Sequence, residues 1–70
     1  MLVKYDGVKD GKQQMIQITD HFSDSMLEVE KAIASFKNQY DYDAIRAYEV
    51  EWVDNNDSMR FEYQVISRLA

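Results

Sequence analysis

Apolar and polar residues alternate at both ends of this chain and change period in the middle. From Met1 to Val8, Met1, Val3 and Tyr5 fall on one side of an extended strand and Leu2, Lys4 and Asp6 on the other. Asp10-Gly11 is a strong hairpin signal, because a type I′ turn needs positive φ at both central residues and glycine supplies it without strain. A turn centred there pairs Tyr5 with Ile16 and Val3 with Ile18, which puts all four on one face. Asp6-Gly7 offers a rival turn that would leave only a stub of first strand, so it reads as a bulge or irregularity inside the longer hairpin. The second strand ends near Thr19, and residues 20–24 make a short polar connection.

From Ser25 to Tyr40 the apolar residues Met26, Val29, Ile33, Phe36 and Tyr40 recur at steps of three and four, which predicts a helix with one apolar face. Ser25 with Glu28 three residues on fits a capping box. No glycine closes the helix, and Asn38 is the best available left-handed residue in its exit, residues 38–43.

Residues 44–53 and 58–67 alternate again. Tyr48, Val50 and Trp52 read as the core side of the third strand, and Met59, Phe61, Tyr63 and Val65 as that of the fourth. A turn on Asn55-Asn56 pairs Trp52 with Met59, Val50 with Phe61 and Tyr48 with Tyr63, and sets Glu51 against Arg60 on the other face.

The order β-β-α-β-β and the right-handed crossover rule predict an α+β fold in a single domain, residues 1–70. It is a two-layer sandwich: a four-stranded antiparallel sheet of order 2-1-3-4 with one helix on one face. Ile33 and Phe36 are expected against Val50, Trp52 and Phe61. The face left over is expected to carry Leu2, Lys4, Ile45, Ala47, Glu49 and Glu51, with Ile45 opposite Ile66. That isoleucine pair reads either as ordinary scattered surface or as a small self-association patch.

Composition adds a sign and removes several chemistries. Thirteen acids against eight bases give a net charge of −5, and ten of the acids, with only three bases, lie between Asp20 and Asp57. That balance disfavours nucleic acid and anionic membrane surfaces, both of which ask for lysine and arginine. There is no cysteine for a disulfide, and no run approaches the roughly 20 apolar residues of a membrane span, so a soluble, cytoplasmic protein is expected. The two glycines, Gly7 and Gly11, make no phosphate loop, and the one histidine, His21, reads as a loop residue. Asp41/Asp43 and Asp54/Asp57 lack the ligand run and glycine of a calcium loop. Glu49, Glu51 and Glu62 stand on a sheet face with no cleft to perturb them. No metal, no cofactor and no catalytic residues are expected, and the chain reads as a non-enzyme.

Tyr42, between Asp41 and Asp43, is either an exposed aromatic anchor ringed by carboxylates or a plug for the end of the core. The expected function is a small acidic protein-binding module. It would present Asp41, Tyr42, Asp43, Glu49, Glu51, Asp54 and Asp57 to a protein with a basic, nucleic-acid-binding surface. In size and charge the chain is similar to the small acidic proteins with which phages and mobile elements block host enzymes, a likeness of composition. The alternative is a small homodimeric accessory protein whose acidity only confers solubility. A short sheet with two open edges and no disulfide favours such self-association.

Overall fold

β1 (Leu2–Lys9) and β2 (Lys12–Asp20) turn on Asp10-Gly11, whose φ values of 52 and 77 are the paired left-handed values of the expected tight turn. The computed structural model describes residues 1–55 and 60–70, and of residues 54, 55, 60 and 61 the backbone alone. α1 (Met26–Gln39), β3 (Ala44–Asn55) and β4 (Arg60–Arg68) follow. The strands form one antiparallel sheet of order β2-β1-β3-β4 with the helix on one face, so the predicted α+β sandwich is the fold.

Ser25 caps the helix, its Oγ accepting from the Leu27 N–H at 3.2 Å. The reciprocal half of the capping box does not form. The Ser25 N–H donates to Ser23 Oγ instead, at 2.9 Å, and Glu28 turns toward His21. Of the expected stripe, Val29 and Phe36 are buried and Ile33 packs beside them, while Met26 and Tyr40 at its ends stay exposed.

The core corrects one sequence expectation. β1 pairs with β3 so that Tyr5 lies opposite Ala47, Gly7 opposite Ile45 and Val3 opposite Glu49. Paired residues share a face, so Ile45 and Ala47 join Val3 and Tyr5 beneath Val29 and Phe36. Tyr48, Val50 and Trp52 therefore stand on the side away from the helix, the reverse of the expected assignment, although Val50 is buried there at 2% exposure. The physical reason is space. Alanine at the middle of the sheet lets the helix approach, and the Tyr5 and Phe36 rings fill the gap with centroids 5.1 Å apart. Phe36 thus rests on Tyr5 rather than on Trp52.

The first hairpin keeps the turn-based register from Lys9–Lys12 to Asp6–Met15 and departs from it beyond, while the second departs from it along its described length. Val3 pairs with Thr19 and Tyr5 with Gln17, and between Tyr5 and Asp6 the register shifts because β2 carries one extra residue, Ile16. The irregularity expected near Asp6-Gly7 is there, with its extra residue on the facing strand. Ile16 packs onto the core, and the register puts Ile18 and Met15 on the opposite face. In the second hairpin Trp52 pairs with Tyr63, Val50 with Val65 and Glu51 with Gln64, replacing the expected Met59, Phe61 and Arg60. Asn55 pairs with Arg60 at the end of the described ladder. Asn56 and Met59 of the expected turn region lie outside the described residues. A second shift, between Glu49 and Val50, leaves Ile66 as the extra residue of β4. It inverts the alternation, so that Val65 faces away from the helix while Leu69 packs onto the core.

Tyr42 resolves to the plug. Its ring lies flat on Gly7, where an added Cβ would stand 2.5 Å from it. Gly7→Ala is expected to destabilise the fold by about 1–3 kcal/mol, the usual range for overpacking. In a double-mutant cycle followed by urea unfolding, Gly7→Ala should cost much less when Tyr42 is already alanine. Equal costs in both backgrounds would show that the ring does not meet this backbone.

Candidate interaction surface

Because the helix covers one side of the sheet, the even-numbered residues of β1 and β3 stand on an open one. Alternation supplies Lys4 and Asp6 from β1 and Arg46, Tyr48, Val50 and Trp52 from β3, and the registers add Tyr63, Val65 and Arg68 from β4. Lys4 lies at the centre. Its Nζ is 5.5 Å from the Tyr48 ring centroid and 5.3 Å from that of Tyr63, and 3.2 Å from the Asp6 carboxylate. Partial burial pulls the ammonium down, but the hydrogen bonds and charges of Asp6 and Tyr63 outweigh it and hold Lys4 above its ordinary pKa.

Asp6 is the one buried charged residue among those described, at 2% exposure. Its Oδ2 accepts from Gln13 Nε2 at 2.6 Å, and Gln13 Nε2 also donates to Tyr48 Oη at 3.0 Å. Arg46 Nη1 donates to Gln13 Oε1 at 3.1 Å, completing a polar network across β1, β2 and β3. The Gln13 hydrogen bond and the neighbouring Arg46 and Arg68 guanidiniums hold the Tyr48 phenol below its usual range. Beyond this network the face turns apolar. Trp52 meets Tyr63 edge to face at 6.3 Å, and Trp52 (53%) and Val65 (50%) remain half exposed, as does Met15 at the β2 side.

Of the residues expected to bind a partner, the described ones do not assemble on one surface. Asp41 Oδ2 accepts from Lys9 Nζ at 2.8 Å, which lowers the Asp41 pKa and raises that of Lys9. Asp43 Oδ2 accepts from the Asp10 N–H at 3.1 Å. The two carboxylates thereby fasten the loop after α1 to the tip of the first hairpin, with Tyr42 clamped on Gly7 between them. Glu49 and Glu51 fall on the helix side of the sheet, where Glu51 accepts from the Gln64 amide. The Asp54 backbone pairs with Phe61 near the end of β3, and Asp57 lies outside the described residues. Ile45, at 7% exposure, is under the helix, while Ile66 is exposed at the β4 bulge, so the two form no common patch. The β1–β3 register that puts Ala47 beneath the helix also puts Ile45 there.

His21 is more than a loop residue. Its Nε2 is 2.6 Å from the hydroxyl of fully buried Tyr5 and its Nδ1 is 3.5 Å from Glu28. Burial first, and the Glu28 charge second, push the Tyr5 phenol up to about 12, so it remains a neutral O–H at physiological pH. With Tyr5 donating to Nε2, the remaining ring N–H faces Glu28. The Tyr5–His21 bond ties the loop before the helix to the sheet, with the Glu28 carboxylate beside the ring but not hydrogen-bonded to it. The sequence signal for it was Tyr5 on the helix face together with a histidine at the helix entrance.

Among the described residues no three histidine, aspartate or glutamate side chains gather as metal ligands, no cavity opens, and no helix is long and apolar enough to cross a membrane. Compared with known proteins, the chain matches no family model, no curated protein and no solved structure.

Proposed function

We propose that this chain is a non-enzymatic protein-binding module that takes its partner on the open face of the sheet. The observation that carries this reading is a row of large side chains, Trp52, Tyr63 and Val65, left exposed on a face that the helix does not reach. Tryptophan, tyrosine and arginine are the residues that most often dominate binding energy, and all three are here beside a rigid strand scaffold. A contiguous apolar patch rimmed by polar groups is the usual mark of an interface.

Charge sorting favours a second reading. Glu49 and Glu51 lie on the helix side of the sheet, and Glu28 and Glu30 on the helix itself. A basic protein surface, such as a nucleic-acid-binding groove, would be met on that side, as an inhibitor presenting carboxylates would meet it.

One experiment tests both. A photo-crosslinking amino acid is placed at Trp52, Val65, Glu30 or Lys31 and irradiated in the cells that make the protein. The first reading expects one protein adduct from positions 52 and 65 and none from 30 and 31. A basic protein captured from 30 and 31 alone would establish the second. An adduct of twice the chain's own mass would identify the partner as another copy and the chain as a homodimeric accessory protein. Equal labelling from every position overturns the open-face reading.

A further inference from the structure

We infer that the open face is built for an acidic protein segment, one carrying carboxylates at one end and apolar side chains at the other. The inference rests on the open-face reading and names its partner's chemistry. The chain as a whole is at −5, yet this face gathers Lys4, Arg46 and Arg68 around the Tyr48 ring. Of the carboxylates that the register places here, Asp6 is buried and matched by Lys4, Asp20 sits at the corner opposite Leu2, and Asp54 lies at the far end of β3, beyond Trp52 and away from Arg46 and Arg68. At the Arg46–Arg68 end the local sign is therefore opposed to the overall sign, which is what selective recognition of an anion by an acidic protein requires.

The arginines are also incompletely used. Arg46 gives one N–H to Gln13 and Arg68 gives its Nε–H to the Ala70 carbonyl at 3.2 Å. Arg46 also reaches the Tyr48 hydroxyl, and among the described residues the remaining N–H groups of both guanidiniums have no acceptor. A guanidinium offers five donors in a flat fork that matches a carboxylate, so each retains the geometry for a two-pronged bond. The Tyr48 phenol, lowered first by the Gln13 hydrogen bond, is lowered further by the same two guanidiniums.

The layout along the strands sets the order of the partner's residues. β3 runs Arg46, Tyr48, Val50, Trp52 on this face, and β4 places Arg68, Val65 and Tyr63 against the last three. At the usual strand rise, Arg46 and Trp52 stand about 20 Å apart. Carboxylates would land near Arg46 and Arg68 and apolar groups near Trp52, Tyr63 and Val65. A single-stranded nucleic acid is the other anion to weigh, but such ligands follow a basic track with flat rings stacked along it. Here the cations stop halfway, and Trp52 and Tyr63 meet at 81°, edge against face.

The test is a display selection of random linear peptides on the immobilised full-length chain at low salt. Peptides joining a run of aspartate or glutamate to leucine, phenylalanine or tryptophan are expected to emerge. Their binding should fall at least about tenfold on Trp52→Ala, Val65→Ser or Arg68→Ala, should fall with added salt, and should be unmoved by Lys37→Ala. Each variant is first shown to keep the parent's circular dichroism, and the two apolar substitutions stand in for each other if one does not fold. Basic or neutral peptides that still depend on Trp52 would sink the acidic-partner inference and leave the open-face reading standing. Enriched peptides indifferent to both Trp52 and Val65, or no enrichment, would sink both. A labelled oligothymidylate that binds and is displaced from the parent by Trp52→Ala-sensitive peptides would make nucleic acid the occupant and overturn the inference.

Discussion

Phe36→Ala should cost about 3–5 kcal/mol and leave most of the chain unfolded near body temperature. The core is small: Val3, Tyr5, Val29, Phe36, Ile45 and Ala47 are its buried members. A chain of this length hides only about 60% of the surface it exposes when unfolded, so its total margin is a few kcal/mol. Phe36 is the largest side chain the helix contributes, and it is the contact that the Tyr5 ring closes on. Ala47 beneath it cannot expand to fill the hole. Urea unfolding followed by far-ultraviolet circular dichroism measures the loss. Met26→Ala, at the exposed end of the same stripe, should cost well under half as much. A Phe36→Ala protein with the parent's midpoint would mean that the helix does not lie on Tyr5 and Ala47.

Alkaline pH should unfold the protein through Tyr5. An unfolded tyrosine releases its proton near 10, whereas the Tyr5 phenol is held to about 12. A pKa raised on folding means that the protonated phenol contributes stability that is complete below the unfolded value. That contribution drains away as the pH climbs through the folded one. The two-unit gap corresponds to about 3 kcal/mol, lost between about pH 10 and 12. Tyr48, whose pKa is lowered, works with the opposite sign in the same region, so the measurement is cleanest with Tyr48 replaced by phenylalanine. Urea midpoints from pH 9 upward should fall steeply in that background, and Tyr5→Phe should flatten the fall. Tyr5→Phe also strips His21 Nε2 of its partner, for about 1–3 kcal/mol at neutral pH. A slope that survives Tyr5→Phe would assign the alkaline loss to another group.

What could be read from the residues alone followed the range of the interaction that decides each feature. Asp10-Gly11 and Ser25 act within a few residues of themselves, so the first turn and the helix start were legible. The strand order followed from chirality. The face of β3 did not, because residues 44–53 carry apolar groups on both sides: Ile45 and Ala47 on one, Tyr48, Val50 and Trp52 on the other. The larger side chains looked like the side under the helix, and only the β1–β3 register shows that they face the other way. That register joins strands separated by a whole hairpin arm and a helix, with no turn to fix it. The contacts of the acids were hidden for a similar reason. Asp41 and Asp43 looked available because their partners, Lys9 and Asp10, lie more than thirty residues away in sequence.

The two bulges carry a consequence for how this protein can fail. β2 and β4 are the outer strands, and each has its spacing of backbone donors and acceptors broken once, at Ile16 and at Ile66. A second chain approaching either rim edge to edge finds a ladder that matches for a few rungs and then slips out of phase. Growth into long stacked ribbons, the route by which small β-rich proteins become fibrils, is interrupted at both rims. Deleting Ile16 or Ile66 would restore an unbroken rim, and with it the hazard that these single extra residues hold off.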